Sequence, residues 1–174
     1  MRILFLPEIW TLLLCFIVWP VLQVGAALIC LNIPDRFFSP DRFFYRAHRF
    51  EKQGHIYDSI FRVSRWKHLL PDGGAVLNKR GYQKKTMKNF SKENLNKFLV
   101  ESGRAEMTHW LAIFPFWVFW FFTPPIVPWM MLIYAVLFNF PSIIVQRYNR
   151  PRIERLLAKM EKTRPEKTLN IGNF

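Results

Sequence analysis

The chain has 174 residues, enough for one compact domain or one small membrane bundle. Half of it is hydrophobic (51%), yet the mean hydropathy is close to zero, so apolar and charged residues must be segregated into blocks. The formal charge is +13, and in a soluble chain that would suggest nucleic acid. Here the basic residues flank apolar runs, which argues against a nucleic-acid partner and for anionic lipid headgroups or a phosphorylated substrate.

The first apolar block runs from Ile9 to Leu31 without a charge. Its length suits a hydrocarbon core of roughly 30 Å, and a proline such as Pro20 is tolerated in a membrane helix. Gly25-Ala26-Ala27 resembles a signal-peptide cleavage site. However, the preceding segment has only Arg2, countered by Glu8, and the apolar run continues past the small residues, so a retained helix is predicted. Cys15 and Cys30 on such a helix stand about 22 Å apart at 1.5 Å per residue, too far for a disulfide.

A basic segment, 32–105, follows. From Arg36 to His109 there are 16 Lys+Arg against 7 Asp+Glu. Within it, Asp41–Tyr57 interleaves aromatics with bases and predicts an amphipathic helix at the membrane surface. Pro71-Asp72-Gly73-Gly74 predicts a turn. Ser91–Met107 predicts a second helix, with Ser91 as N-cap and Leu95, Phe98 and Leu99 on one face.

The last apolar block, Trp110–Val145, is interrupted by Thr123-Pro124-Pro125 and Pro128. It is too long for one span and suits a helical hairpin with crossings at 106–122 and 128–146. Trp120 and Trp129 flank the tip, as in an aromatic belt. The tail 147–174 is basic, with 8 Lys+Arg and 3 Asp+Glu. Positive residues prefer the cytoplasm, which places the middle segment and tail inside and the N-terminus and hairpin tip outside. The predicted architecture is therefore a single-domain, all-α, multi-pass membrane protein of about three transmembrane helices, with interfacial amphipathic helices on the cytoplasmic side. So thin a bundle leaves room for a homodimer, though no pattern specifies the interface.

Chemistry is sought where ionisable residues meet apolar blocks, because burial makes them costly. Glu106 and His109 share a helical face, as do Glu101 and Arg104. A carboxylate beside an imidazole suits a general base, and it equally suits an interfacial salt-bridge cluster. Glu106-Met107-Thr108-His109 matches the Glu-x-x-His pattern of di-metal carboxylate sites, but no second such pair follows, so no metal is predicted. His68-Leu69-Leu70-Pro71-Asp72 is one residue short of the HxxxxD acyltransferase pattern. Trp66-Lys67-His68 with Asp72 reads either as a substrate-gripping turn or as an interfacial anchor. Arg147, Arg150 and Arg152 either clamp phosphates or anchor the helix end.

Several polar pieces occur in an order that resembles the glycosyl-4,4'-diaponeurosporenoate acyltransferase family. They are Ile33-Pro34-Asp35-Arg36-Phe37-Phe38; Phe50-Glu51-Lys52 with Gly54; Val63 with Arg65-Trp66-Lys67-His68; Asp72-Gly73; Arg104-Ala105-Glu106 with His109-Trp110; and Ile143 through Arg152, which includes Gln146-Arg147-Tyr148-Asn149-Arg150-Pro151. The resemblance implies a bacterial cell-membrane enzyme that moves a fatty acyl group to a sugar hydroxyl of a glycosylated carotenoid or related glycolipid. Its partners would be membrane lipids, the lipid-linked sugar and an acyl donor, with acyl-CoA as co-substrate and no further cofactor. On that reading His109 is the base, Glu106 orients it, and Arg104 or Lys67 stabilises the oxyanion. Glu51, Trp66, Lys67, His68, Asp72, Arg147, Tyr148, Asn149, Arg150 and Arg152 would bind substrate. The alternative is a non-enzymatic membrane subunit that docks an acidic partner or anionic lipid through its basic face.

Overall fold

The computed structural model describes residues 2–70 and 91–169. The expected turn at Pro71–Gly74, and with it Asp72, lies outside the described residues. The described elements are α1 (Glu8–Asn32), 3-10 turns at Asp35–Phe38 and Arg49–Gly54, α2 (His55–Phe61), α3 (Val63–Trp66), a 3-10 turn at Lys67–Leu69, α4 (Lys92–Ile113), a 3-10 helix at Phe114–Phe121, and α5 (Ile126–Leu169). The fold is thus all-α. Two of its helices, α1 and α5, are long and apolar enough to cross a membrane. Only 6% and 22% of their most apolar windows are buried, whereas the core helix of a soluble protein would be mostly covered.

The chain forms two compact units. The first comprises Met1–Phe37 and Arg104–Ile143, the second Phe38–Gly103 and Ile144–Phe174, so α4 and α5 each contribute to both. In the first unit, the Gln23 amide on α1 donates to the Ala112 carbonyl of α4 at 3.3 Å. The Trp19 ring meets Tyr134 of α5 at 5.0 Å. α4 runs unbroken from the basic segment into the apolar block, because nothing between Met107 and Ile113 interrupts it. Pro115 then breaks the α-geometry with ψ 20°, and the chain continues as a 3-10 helix. Around the following turn, Trp120 and Trp129 pack edge-to-face at 5.4 Å and Phe116 meets both. Phe16, Ile133, Leu137 and Phe138 are exposed, an outward apolar surface of the kind lipid covers.

The second unit has two apolar clusters. Val63, Ile144, Val145 and Tyr148 pack with Tyr57, Trp66 and Leu70; Leu95, Leu99 and Leu157 pack with Ile153 and Leu156. The predicted helix start at Ser91 holds, since its hydroxyl accepts the Asn94 N–H at 3.2 Å. Leu95, Phe98 and Leu99 are buried as their spacing requires. The amphipathic helix expected over Asp41–Tyr57 is corrected: this stretch is a set of turns, a 3-10 segment and the start of α2. Two left-handed residues break it, Lys52 at φ 45° and Gly54 at φ 85°.

Gly54 is required at its position. Besides the positive φ, a Cβ there would lie 2.9 Å from the Tyr148 carbonyl oxygen and 2.9 Å from Arg152 Nη1. Gly54→Ala is therefore expected to cost about 1–3 kcal/mol, read as a lowered thermal midpoint of the detergent-solubilised protein. An unchanged midpoint would show that the backbone is not pinned here.

Candidate functional site

In the first unit the polar residues converge on α4. α1 ends at Asn32 with no basic residue in its last turn, and its final carbonyls need donors. Arg104 supplies them. Its Nη1 donates to the carbonyls of Cys30 at 2.7 Å and Ile33 at 2.8 Å, and its Nη2 pairs with Asp35. This guanidinium is engaged as a helix-end clamp, an occupation different from the oxyanion role that the sequence suggested.

Glu106 is fully buried, and His109 follows one turn later on the same face of α4. His109 Nδ1 lies 2.8 Å from Asn139 Oδ1 on α5. Asn139 is only 1% exposed, and its amide nitrogen donates to the Ala135 carbonyl at 3.0 Å. Sequence reasoning missed Asn139. The signal was available: a lone amide inside an otherwise apolar run, where polar side chains are expensive.

The second unit sorts the remaining candidates into two groups. Glu51 is buried, and its carboxylate accepts from the His48 backbone N–H at 2.7 Å, the Tyr57 hydroxyl at 2.6 Å and Arg147 Nη1 at 3.3 Å. Arg147 also donates to the Phe44 carbonyl. Arg150 is buried, donates to the Tyr45 carbonyl at 2.7 Å and lies over the Tyr45 ring. Trp66 donates to the Phe61 carbonyl at 2.7 Å while its ring packs on the Val63 cluster. These side chains hold the unit together.

The second group gathers at Tyr148. Arg152 stacks on its ring at 3.6 Å and Lys67 Nζ sits 4.9 Å from the same centroid. Lys67 also donates to Asn149 Oδ1 at 3.3 Å. Burial, and then the nearby Arg152 charge, push the Lys67 ammonium below its ordinary value, while Asp58 partly offsets them. Asp58 accepts the Ser64 backbone N–H at 2.9 Å. That bond, a second from the Ser64 side chain, and the Arg152 and Lys67 charges together hold its carboxyl below the usual range. His68 is exposed in the turn beside Lys67. Two cations held on one aromatic ring form an arrangement that favours an anion. Among the described residues, no group of three or more metal-binding side chains occurs.

A family model described as glycosyl-4,4'-diaponeurosporenoate acyltransferase matches residues 40–159. Glycosyl-4,4'-diaponeurosporenoate acyltransferases from Staphylococcus aureus strains bovine RF122 / ET3-1, MRSA252 and USA300 are each 35% identical to this chain over 152 residues. The match covers 87% of this chain and 91% of each relative. No solved structure matches. Both the family model and the relatives extend over most of the sequence, and the chain belongs to the glycosyl-4,4'-diaponeurosporenoate acyltransferase family.

Proposed function

We propose that this protein transfers a fatty acyl group from acyl-CoA to a sugar hydroxyl of a glycosylated carotenoid or related glycolipid in a bacterial cell membrane. Family membership gives the reaction class, and the observation that carries the chemistry is the His109 imidazole, held at Nδ1 within an apolar unit. In the reaction, His109 Nε2 takes the sugar hydroxyl proton as its oxygen attacks the thioester carbonyl. The tetrahedral adduct collapses, the C–S bond breaks, and the proton passes to the departing thiolate. Glu106, buried one turn away on the same face of α4, is assigned to orient the ring. The exposed apolar side chains of the first unit suit an acyl chain or polyene.

The sequence suggested three arginines for the donor phosphates. Arg147 is ion-paired with Glu51 and Arg150 is buried against the Tyr45 carbonyl. The role is given to Arg152, which spends one N–H on the Tyr148 carbonyl at 2.7 Å and is only half-buried, together with Lys67 on Tyr148.

We also propose three crossings, with the N-terminus outside and the basic segment and tail cytoplasmic. The 3-10 winding of Phe114–Phe121 supports the middle crossing. Ten α-helical residues from Arg104 to Ile113, followed by eight 3-10 residues, extend about 30 Å at roughly 1.5 and 2.0 Å per residue. That matches a hydrocarbon core of about 30 Å.

Purified protein in nanodiscs, given radiolabelled long-chain acyl-CoA and a panel of acceptors that includes glucosylated carotenoid, is expected to form a labelled lipid. His109→Ala should lower the rate by about 10²–10⁴-fold in a protein with an unchanged thermal midpoint. Full activity in that variant would remove His109 as the base. The anion site carries its own pH signature. Phosphate binds the protonated Lys67, and because that ammonium is held below its ordinary value, its charge is lost earlier as pH rises. Coenzyme A binding, followed by calorimetry, is expected to weaken on the alkaline side before an ordinary lysine would titrate. Lys67→Arg should flatten that decline, and a profile identical in the two proteins would exclude Lys67 from the site.

A further inference from the structure

The Asn139–His109 contact fixes more than a distance. Asn139 Nδ2 lies 3.0 Å from the Ala135 carbonyl oxygen. A carbonyl only accepts, so the amide NH2 must face Ala135, and the amide oxygen must face the imidazole. That oxygen also only accepts. Nδ1 of His109, at 2.8 Å, is then the donor and carries the proton in the neutral ring. The lone pair of the neutral imidazole is left on Nε2, the nitrogen that a general base needs.

We infer that Asn139 is a positioning residue for acyl transfer: it holds His109 as the Nδ1–H tautomer and presents Nε2 to the acceptor hydroxyl. This rests on His109 being the base, and it adds a residue that acts only through the ring. Two features favour it over a simple interhelical tie. Asn139 is 1% exposed, while Leu137 and Phe138 beside it are exposed and apolar, so it is the inward-turned polar member of an outward apolar stretch. Interhelical polar contacts in membranes average only about 0.6 kcal/mol, a small return for burying an amide there. Besides His109, the charged and titratable groups among the unit's described residues are Arg104 and Glu106 on α4, Tyr134 on α5, Glu8, Cys15 and Cys30 on α1, and Arg2, Asp35 and Arg36 beyond its ends. Arg104 is committed to Cys30, Ile33 and Asp35, and the Tyr134 ring meets Trp19 at a tilt and stacks on Phe138.

The test pairs spectroscopy with kinetics on the full chain in nanodiscs. The protein has four histidines, so 15N imidazole signals are assigned to His109 by their loss in His109→Ala. The neutral wild-type ring is expected to show the Nδ1–H pattern. Asn139→Ala should mix the tautomers and lower kcat by about 10- to 100-fold, with KM and thermal midpoint nearly unchanged. In a His109→Ala background, Asn139→Ala should add no further loss. A wild-type Nε2–H ring, or an Asn139→Ala protein with full kcat, overturns the inference. A His109→Ala protein with full kcat overturns the base assignment first, and the two failures are thereby told apart.

Discussion

Arg104 donates to two backbone carbonyls and one carboxylate at the end of α1, and the first unit depends on that set of bonds. A helix that stops at the edge of an apolar block leaves carbonyls facing a medium with few donors, where an unmet polar group is costly. α1 ends without a base of its own, so the donor comes from 71 positions along the chain, between Ile33 and Arg104. The guanidinium fork reaches three oxygens from one side chain, which a lysine ammonium, a point charge, would not do in the same plane. With Arg104 fixed, the rotation of α4 is fixed, and Glu106 and His109 are presented at defined angles two and five residues further on. Thr108 tightens the same turn by donating to the Arg104 carbonyl at 2.9 Å.

The second unit applies the same economy to its surplus of positive charge. Arg147 and Arg150 are turned inward to oxygens, where each holds neighbouring loops in place. Arg152 and Lys67 are set on an aromatic face, which stabilises a cation without neutralising it. A run of three arginines thus divides into two that tie separate loops to α5 and one, Arg152, whose bonds stay within its own helix turn. The division follows helical position, since 147 and 150, three apart, share a face of α5 and 152 lies on another.

Much of this was legible in the sequence. The apolar runs announced α1 and α5, and Ser91 with Leu95, Phe98 and Leu99 announced the start of α4 and its buried face. The ordered polar pieces from Ile33 to Arg152 pointed to the family. What stayed hidden was tertiary or conformational. The break at Lys52 and Gly54 was obscured by an aromatic–basic pattern that also fits a helix, because left-handed residues are set by backbone contacts such as the approach of Gly54 to Tyr148. The occupation of Arg104 was invisible because its partners are far away in sequence. Asn139 was visible as an oddity, but its meaning required the helix carrying His109 to be placed beside it.

The 3-10 winding of Phe114–Phe121 also bears on how the chain can change. At three residues per turn, side chains three apart eclipse, so Trp117 and Trp120, beyond the kink at Pro115, fall along one edge. One inserted residue would turn everything beyond it by about 120° and part Trp120 and Phe116 from Trp129. One deleted residue would do the same in the opposite sense. The segment can therefore exchange one bulky apolar side chain for another with little consequence, while its length is held by the aromatic contacts at its far end.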